Sequence, residues 1–141
     1  MKKDKQTNKQ TKLSNFLNKI KDTLSQYGYE HSTTFKRTCN EDYYCFSSLN
    51  FGYKSSSVYV TGNVITDYLY IDYDTMVYSF LPSGKHSFSV DPNSYKVDID
   101  KFNLQNLSQW AEAQFNLLQL YKKCEKEKLM NKKLSNMQKD F

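Results

Sequence analysis

Apolar residues change their spacing twice along this chain, and that change restricts the fold more than any other feature. From Lys12 to Gly28, Leu13, Phe16, Leu17, Ile20, Leu24 and Tyr27 recur at steps of three and four, which puts them on one side of an α-helix. Gly28 stands just past the last periodic residue, as a helix stop does. From about Thr33 to Ile99 the period is two, and Tyr, Phe, Val, Thr and Ser dominate. The expected strands are Thr33–Thr38, Tyr43–Phe51, Ser57–Thr61, Tyr68–Asp72, Met76–Leu81, Ser87–Val90 and Tyr95–Ile99. Turn chemistry separates them: Cys39-Asn40-Glu41-Asp42, Gly52, Gly62-Asn63, Pro82-Ser83-Gly84-Lys85, and Asp91-Pro92-Asn93-Ser94 as a type I turn. Links this short join antiparallel neighbours.

After Asn103 the helical period returns, with Leu104, Leu107, Trp110, Ala111, Leu117, Leu118, Tyr121 and Cys124 forming a broad apolar band. Beyond it the chain is rich in Lys, yet Met130, Leu134, Met137 and Phe141 still repeat at helical steps. An unbroken helix from Leu104 to Lys139 would span ~54 Å at 1.5 Å per residue, against roughly 30–35 Å for a compact domain of this length. Its last turns must project, bend back or fray. A projecting apolar stripe wants a cover, so Tyr121, Met130, Leu134 and Met137 are candidates for self-association or partner docking.

With 141 residues there is room for one core. The expected organisation is a disordered basic tail at 1–11, one α+β domain at 12–124 and a Lys-rich helical extension at 125–141. The fold class expected is an N-terminal helix, an antiparallel meander of five to seven strands and a long C-terminal helix. Both helices would cover the apolar sheet face as a two-layer sandwich. Leu69 and Ile71 would face that core, opposite Tyr68 and Tyr70. No apolar run reaches the ~20 residues that span a bilayer, so no membrane role is expected.

Charge is unevenly placed. The net +5 hides two basic ends around an acidic middle: residues 31–100 hold Lys36, Arg37, Lys54, Lys85 and Lys96 against a larger set of Asp and Glu. Arg37 is the only Arg, and Gly, Ala and Pro are scarce while Lys, Asn, Tyr and Phe abound. That bias follows AT-rich codons, as in a low-GC bacterium, its phages or its plasmids, so Lys and Tyr abundance is partly mutational. The three cysteines (Cys39, Cys45, Cys124), an odd count without C-x-x-C spacing or an apolar leader, point to reduced thiols, a cytoplasmic setting and no zinc site. A hairpin could bring Cys39 and Cys45 opposite each other, but their spacing alone does not fix their separation.

Catalytic motifs have little foothold. His31-Ser32-Thr33 resembles one half of the H-x-[ST] pair of two-histidine phosphoesterases, but His86-Ser87-Phe88 puts Phe88 where the second hydroxyl belongs. Asp72-x-Asp74 and Asp98-x-Asp100 have the spacing that puts two carboxylates on one strand face, as a divalent-metal nuclease needs. Turn and cap duty for Asp74 and Asp100 is the simpler expectation. There is no P-loop, no G-x-G-x-x-G and no G-x-S-x-G elbow. No cofactor and no metal are expected.

What remains is the Tyr-rich middle. Tyr44, Tyr59, Tyr68 and Tyr70, with Asp72 and Asp74, would share the outer sheet face. Stacking of single-stranded nucleic acid on such a face is opposed by its negative charge and by the lack of Arg. Tyr serves equally well at protein interfaces. The expected function is therefore a non-catalytic protein-binding module: an inhibitor or accessory of a phage or mobile element that occludes a basic, nucleic-acid-binding surface of a host protein. The alternatives are a nucleic-acid binder using the Lys-rich ends, and a small phosphoesterase or nuclease-like enzyme. A homo-oligomer through the last helix is also expected.

Overall fold

The computed structural model describes residues 2–32, 42–63 and 68–139, with side chains described for 12–32, 45–62 and 69–138. Helix α1 (Lys2–Ser25) is followed by β1 (Glu30–Ser32), β2 (Asp42–Phe51), β3 (Lys54–Asn63), β4 (Tyr68–Phe80) and β5 (His86–Asp98). A 3₁₀ turn (Ile99–Lys101) then leads into helix α2 (Leu104–Lys139). The strands pair antiparallel in chain order, so the chain is an α+β meander of five strands. The expected strand Thr33–Thr38 lies outside the described residues, and the short edge strand β1 went unforeseen.

Helix α1 begins at Lys2, so the backbone expected to be a tail at residues 2–11 is helical. Its sequence is polar as far as Lys12, so the apolar period that marks a helix in sequence starts only at Leu13. The helix ends as the sequence foretold. Gly28 takes φ 85°, its N–H bonds the Ser25 carbonyl at 3.2 Å, and the Tyr29 N–H reaches back to Leu24 at 3.3 Å, the two bonds of a Schellman stop.

Leu13, Phe16, Leu17, Ile20 and Leu24 of α1 form one cluster with Cys45, Leu49, Val58, Val60, Leu69 and Ile71 of the sheet and with Leu107, Ala111 and Leu118 of α2. Both helices therefore cover the same sheet face. Each fully buried Leu, Ile or Phe contributes about 1.5–3 kcal/mol of transfer free energy. Gly62 sits inside this packing and not in a turn. It is a β3 residue paired with Leu69, and a Cβ there would lie 2.5 Å from a Leu69 methyl and 2.8 Å from a Leu13 methyl. Glycine supplies room at this position, whereas Gly52 at the β2–β3 turn does supply positive φ.

The largest departure from expectation is in β4 and β5. Each was expected as two short strands; each is one strand of 13 residues, and Asp91-Pro92-Asn93-Ser94 pairs within the β4–β5 ladder instead of turning. Hydrogen-bond parity explains why Pro92 is tolerated. The Leu81 N–H bonds the Lys85 carbonyl at 2.8 Å, and antiparallel pairs alternate from there. Even-numbered residues of both strands then turn their backbone groups away from the ladder. Pro92 is even and β5 is the sheet edge, so its missing N–H would have pointed outward.

Strand β3 pairs with β4 only as far as Asp74, so the rest of β4 and the start of β5 form a two-stranded ribbon. Gln114 of α2 takes over where β3 leaves off. Its Oε1 accepts the Met76 N–H at 2.7 Å and its Nε2 donates to the Met76 carbonyl at 3.1 Å. One buried carboxamide thus replaces a strand at the point of divergence. The Trp110 indole N–H donates to Thr75 Oγ1 at 3.1 Å one residue earlier.

The ribbon also twists. In the main sheet the odd residues Leu69, Ile71 and Tyr73 face the helices, while in the ribbon the even residues Met76, Tyr78 and Phe88 do. The register is unbroken across this exchange, so the faces swap by twist, which is greatest in two-stranded ribbons. Phe88 then packs edge-on to Tyr121 at 5.2 Å, and Phe51 meets the same Tyr121 ring at 5.7 Å.

Candidate functional site

The sheet face away from the helices gathers the residues singled out from sequence. Register puts Phe46, Tyr59, Asp72 and Ser94 in one row across β2 to β5, and Tyr44, Thr61, Tyr70 and Lys96 in the next. Ser48, Ser57, Asp74 and Pro92 form the row on the other side. Tyr59, Tyr70, Asp72 and Asp74 therefore occupy adjoining positions on one surface. Tyr44 and Tyr68 belong to the same face by register, but their side chains lie outside the described residues.

Tyr70 stands exposed, Tyr59 is half-buried with its ring 6.3 Å from Phe46, and Asp72 and Asp74 are half-buried. Ser57 is covered and shares a 3.2 Å hydroxyl contact with Ser55. Glu30 of β1 and Asp98 of β5 fall on the same face, so its described carboxylates outnumber its one described cation, Lys96. The face joins an acidic field to aromatic rings with polar tips.

The candidate docking helix divides in two. Tyr121 belongs to the core, wedged against Phe51 and Phe88. Leu129, Met130, Leu134 and Met137 are exposed by 55–64%. At 3.6 residues per turn, Met130, Leu134 and Met137 lie more than about 90° around the axis from Leu118. The stripe is thus a separate face of the helix and not a continuation of its buried side.

The histidines do not converge. His31 is on β1 and His86 on β5, the two opposite edges of the sheet. His31 bridges Ser25 Oγ and Ser47 Oγ at 2.6 Å each, and the Ser25 hydroxyl lies 2.8 Å from the Lys21 carbonyl. With that hydroxyl proton given to the carbonyl, Nε2–H donates to Ser25 and Nδ1 accepts from Ser47. Burial, and next the Lys21 charge, hold the imidazole below its ordinary value. The chain ties the end of α1 to the sheet, and no feature of the sequence announced it. His86 stacks on Tyr78, with Nδ1 2.5 Å from the phenol oxygen.

The second acid pair is spent on structure. Asp98 Oδ1 accepts the Asp100 N–H at 3.0 Å, and Asp100 pairs with Lys12. Among the described residues no three His, Cys, Asp or Glu side chains gather as metal ligands. Cys45 and Cys124 are buried free thiols, burial pushes the Cys45 thiol up, and Cys39 lies outside the described residues. Among the described residues no helix is long and apolar enough to cross a membrane. No family model, no curated protein and no solved structure matches this chain.

Proposed function

We propose that this chain is a non-catalytic protein-binding module whose helix-free sheet face meets a basic surface of another protein. The observation that carries this reading is the convergence of Tyr59, Tyr70, Asp72 and Asp74 on adjoining positions of that face. A rigid sheet holds them, so little ordering entropy is lost when a partner docks. Carboxylates steer a basic partner toward the face, and the Tyr rings offer area with a hydroxyl to satisfy. An acidic surface of this kind competes with nucleic acid for a basic channel, which would make the protein an inhibitor or accessory of a nucleic-acid-processing protein. Origin on a phage or mobile element fits the AT-biased composition.

The test pairs affinity capture from a low-GC bacterial lysate with competition. Wild type should retain a stoichiometric basic partner that Asp72→Lys/Asp74→Lys releases. Adding wild type should then displace nucleic acid from that purified partner. Recovery of no partner, or a partner held equally by the double variant, would sink this reading.

A further inference from the structure

We propose that the exposed edge of β5, from Asn93 to Asp98, receives an extended peptide as a sixth strand, with a bulky apolar side chain of that peptide in the cleft between β5 and the start of α2. Two independent features meet there. The first is the ladder parity. Ser94 and Lys96 are even positions of an edge strand, so their N–H and C=O groups point away from β4; Asp98 is even as well, but its carbonyl opens the 3₁₀ turn. Pro92 ends that run, since it has no N–H to offer, and beyond it the ribbon twists away. The edge thus presents a short outward run, which suits a short peptide and not a long intermolecular sheet.

The second feature is the cleft beside the same segment. It has a volume of about 590 Å³ and is walled by Tyr73, Tyr95, Phe102 and Trp110. These rings are set by one another: Tyr73 lies edge-on to Trp110 at 5.1 Å and to Tyr95 at 5.9 Å, and the Trp110 N–H is tied to Thr75. Tyr95 nonetheless leaves 53% of its surface exposed. A strand added to β5 alternates its side chains between the two faces of the sheet, so every second one would enter this cleft.

Charge selects the occupant. Lys96 and Asp98 belong by register to the other face of the sheet, so Lys101 supplies the positive charge at the cleft, while the nearby Asp100 carboxylate is paired with Lys12. A peptide with Asp or Glu beside its large apolar residue answers this pattern. The proposal concerns a different surface from the Tyr and Asp sheet face and stands or falls separately from it.

The probe is a displayed library of random dodecapeptides panned on the full chain, the winners then being synthesised and titrated by fluorescence anisotropy. Winners should carry a large apolar residue next to Asp or Glu. Ser94→Pro should weaken them at least tenfold while leaving the melting temperature near wild type, because it removes only an outward N–H and Asn93 is already extended as a residue before Pro must be. Tyr95→Ser should weaken them comparably. Lys101→Glu, at an exposed site that does not threaten folding, should weaken acidic winners and be rescued by Lys in the peptide. No enrichment over bare beads overturns the proposal. So does binding that survives both Ser94→Pro and Lys101→Glu, or a concentration-dependent dimer in sedimentation that Ser94→Pro abolishes, which would make a second copy the occupant of the edge.

Discussion

Replacing Gln114 by Leu should destabilise the fold by about 1–5 kcal/mol, although Leu fills nearly the same space and is the better core residue. Two backbone groups decide this. The Met76 N–H and C=O have no strand partner, and the Gln114 carboxamide, itself only 4% exposed, satisfies both. A buried polar group left unpaired costs about 1–3 kcal/mol, so two cost about 2–6, and the apolar gain of Leu offsets about 1 kcal/mol. With a urea slope of about 1–3 kcal/mol/M, the unfolding midpoint should fall by roughly 1–2 M with an unchanged slope. Gln114→Glu sharpens the test. A neutral carboxylic acid can donate to the Met76 carbonyl and accept from its N–H, as the amide does. A carboxylate offers two acceptors to a site that needs one donor, and burial disfavours its charge. Both effects raise the folded pKa above the unfolded value of about 4.3. The variant's stability relative to wild type should therefore be fullest below about pH 4 and should fall as pH rises through the raised folded value. A Leu variant within about 0.3 M of wild type, or a Glu variant whose deficit does not change between pH 4 and 7, would show that Met76 finds other partners and that the bracket contributes nothing.

Three further outcomes follow from the same packing. His31 is held below its ordinary value, so the folded state binds fewer protons than the unfolded one; stability from this group is whole above about pH 6.5 and is lost as pH falls through the lowered folded value. His31→Gln should flatten that slope, which urea midpoints of both proteins from pH 7.5 to 5 would measure. Gly62→Ala should cost about 1–3 kcal/mol in a thermal melt, because a methyl there presses on Leu13 and Leu69. Deleting residues 126–141 should leave stability within about 0.5 kcal/mol, since the described side chains from Lys126 to Gln138 are all exposed. If the Met130, Leu134 and Met137 stripe assembles copies, the same deletion will lower the mass seen by light scattering.

How legible each element was depended on whether its signal was local. The α1 stripe, its Gly28 stop and the α2 band were readable because helical spacing and a left-handed cap are written in neighbouring residues. The outer-face set was readable because a period of two assigns faces within a strand, and register then lined up Tyr59 with Asp72. The His31 bridge and the Gln114 bracket were not, because each joins groups far apart in the chain. A polar residue within an apolar band announces no partner, and Gln114 reads there as a surface residue.

The misjudged turns in β4 and β5 expose a degeneracy in reading strands by period. In β4 the apolar set runs Leu69, Ile71, Tyr73 and then Met76, Tyr78, Phe80; in β5 it runs Phe88, Val90 and then Tyr95, Val97. Each set slips by one residue, which a turn would produce and which Pro92 encourages one to assume. A continuous strand gives the same slip if it twists far enough for its two faces to exchange neighbours. The two cases differ in what happens across the ladder. The slips in β4 and β5 lie opposite each other, Asp74 facing Pro92 and Met76 facing Val90, so the pairing stays in step while both strands change face together. Paired slips at matching distances from a hairpin loop therefore fit one twisted ribbon, whereas a slip in one strand alone fits a turn or a β-bulge. Here the matched slips flank Pro82 to Gly84, equally far along both arms, and they mark where β3 ends its pairing, where Gln114 takes hold and where the β5 edge comes free of the twist.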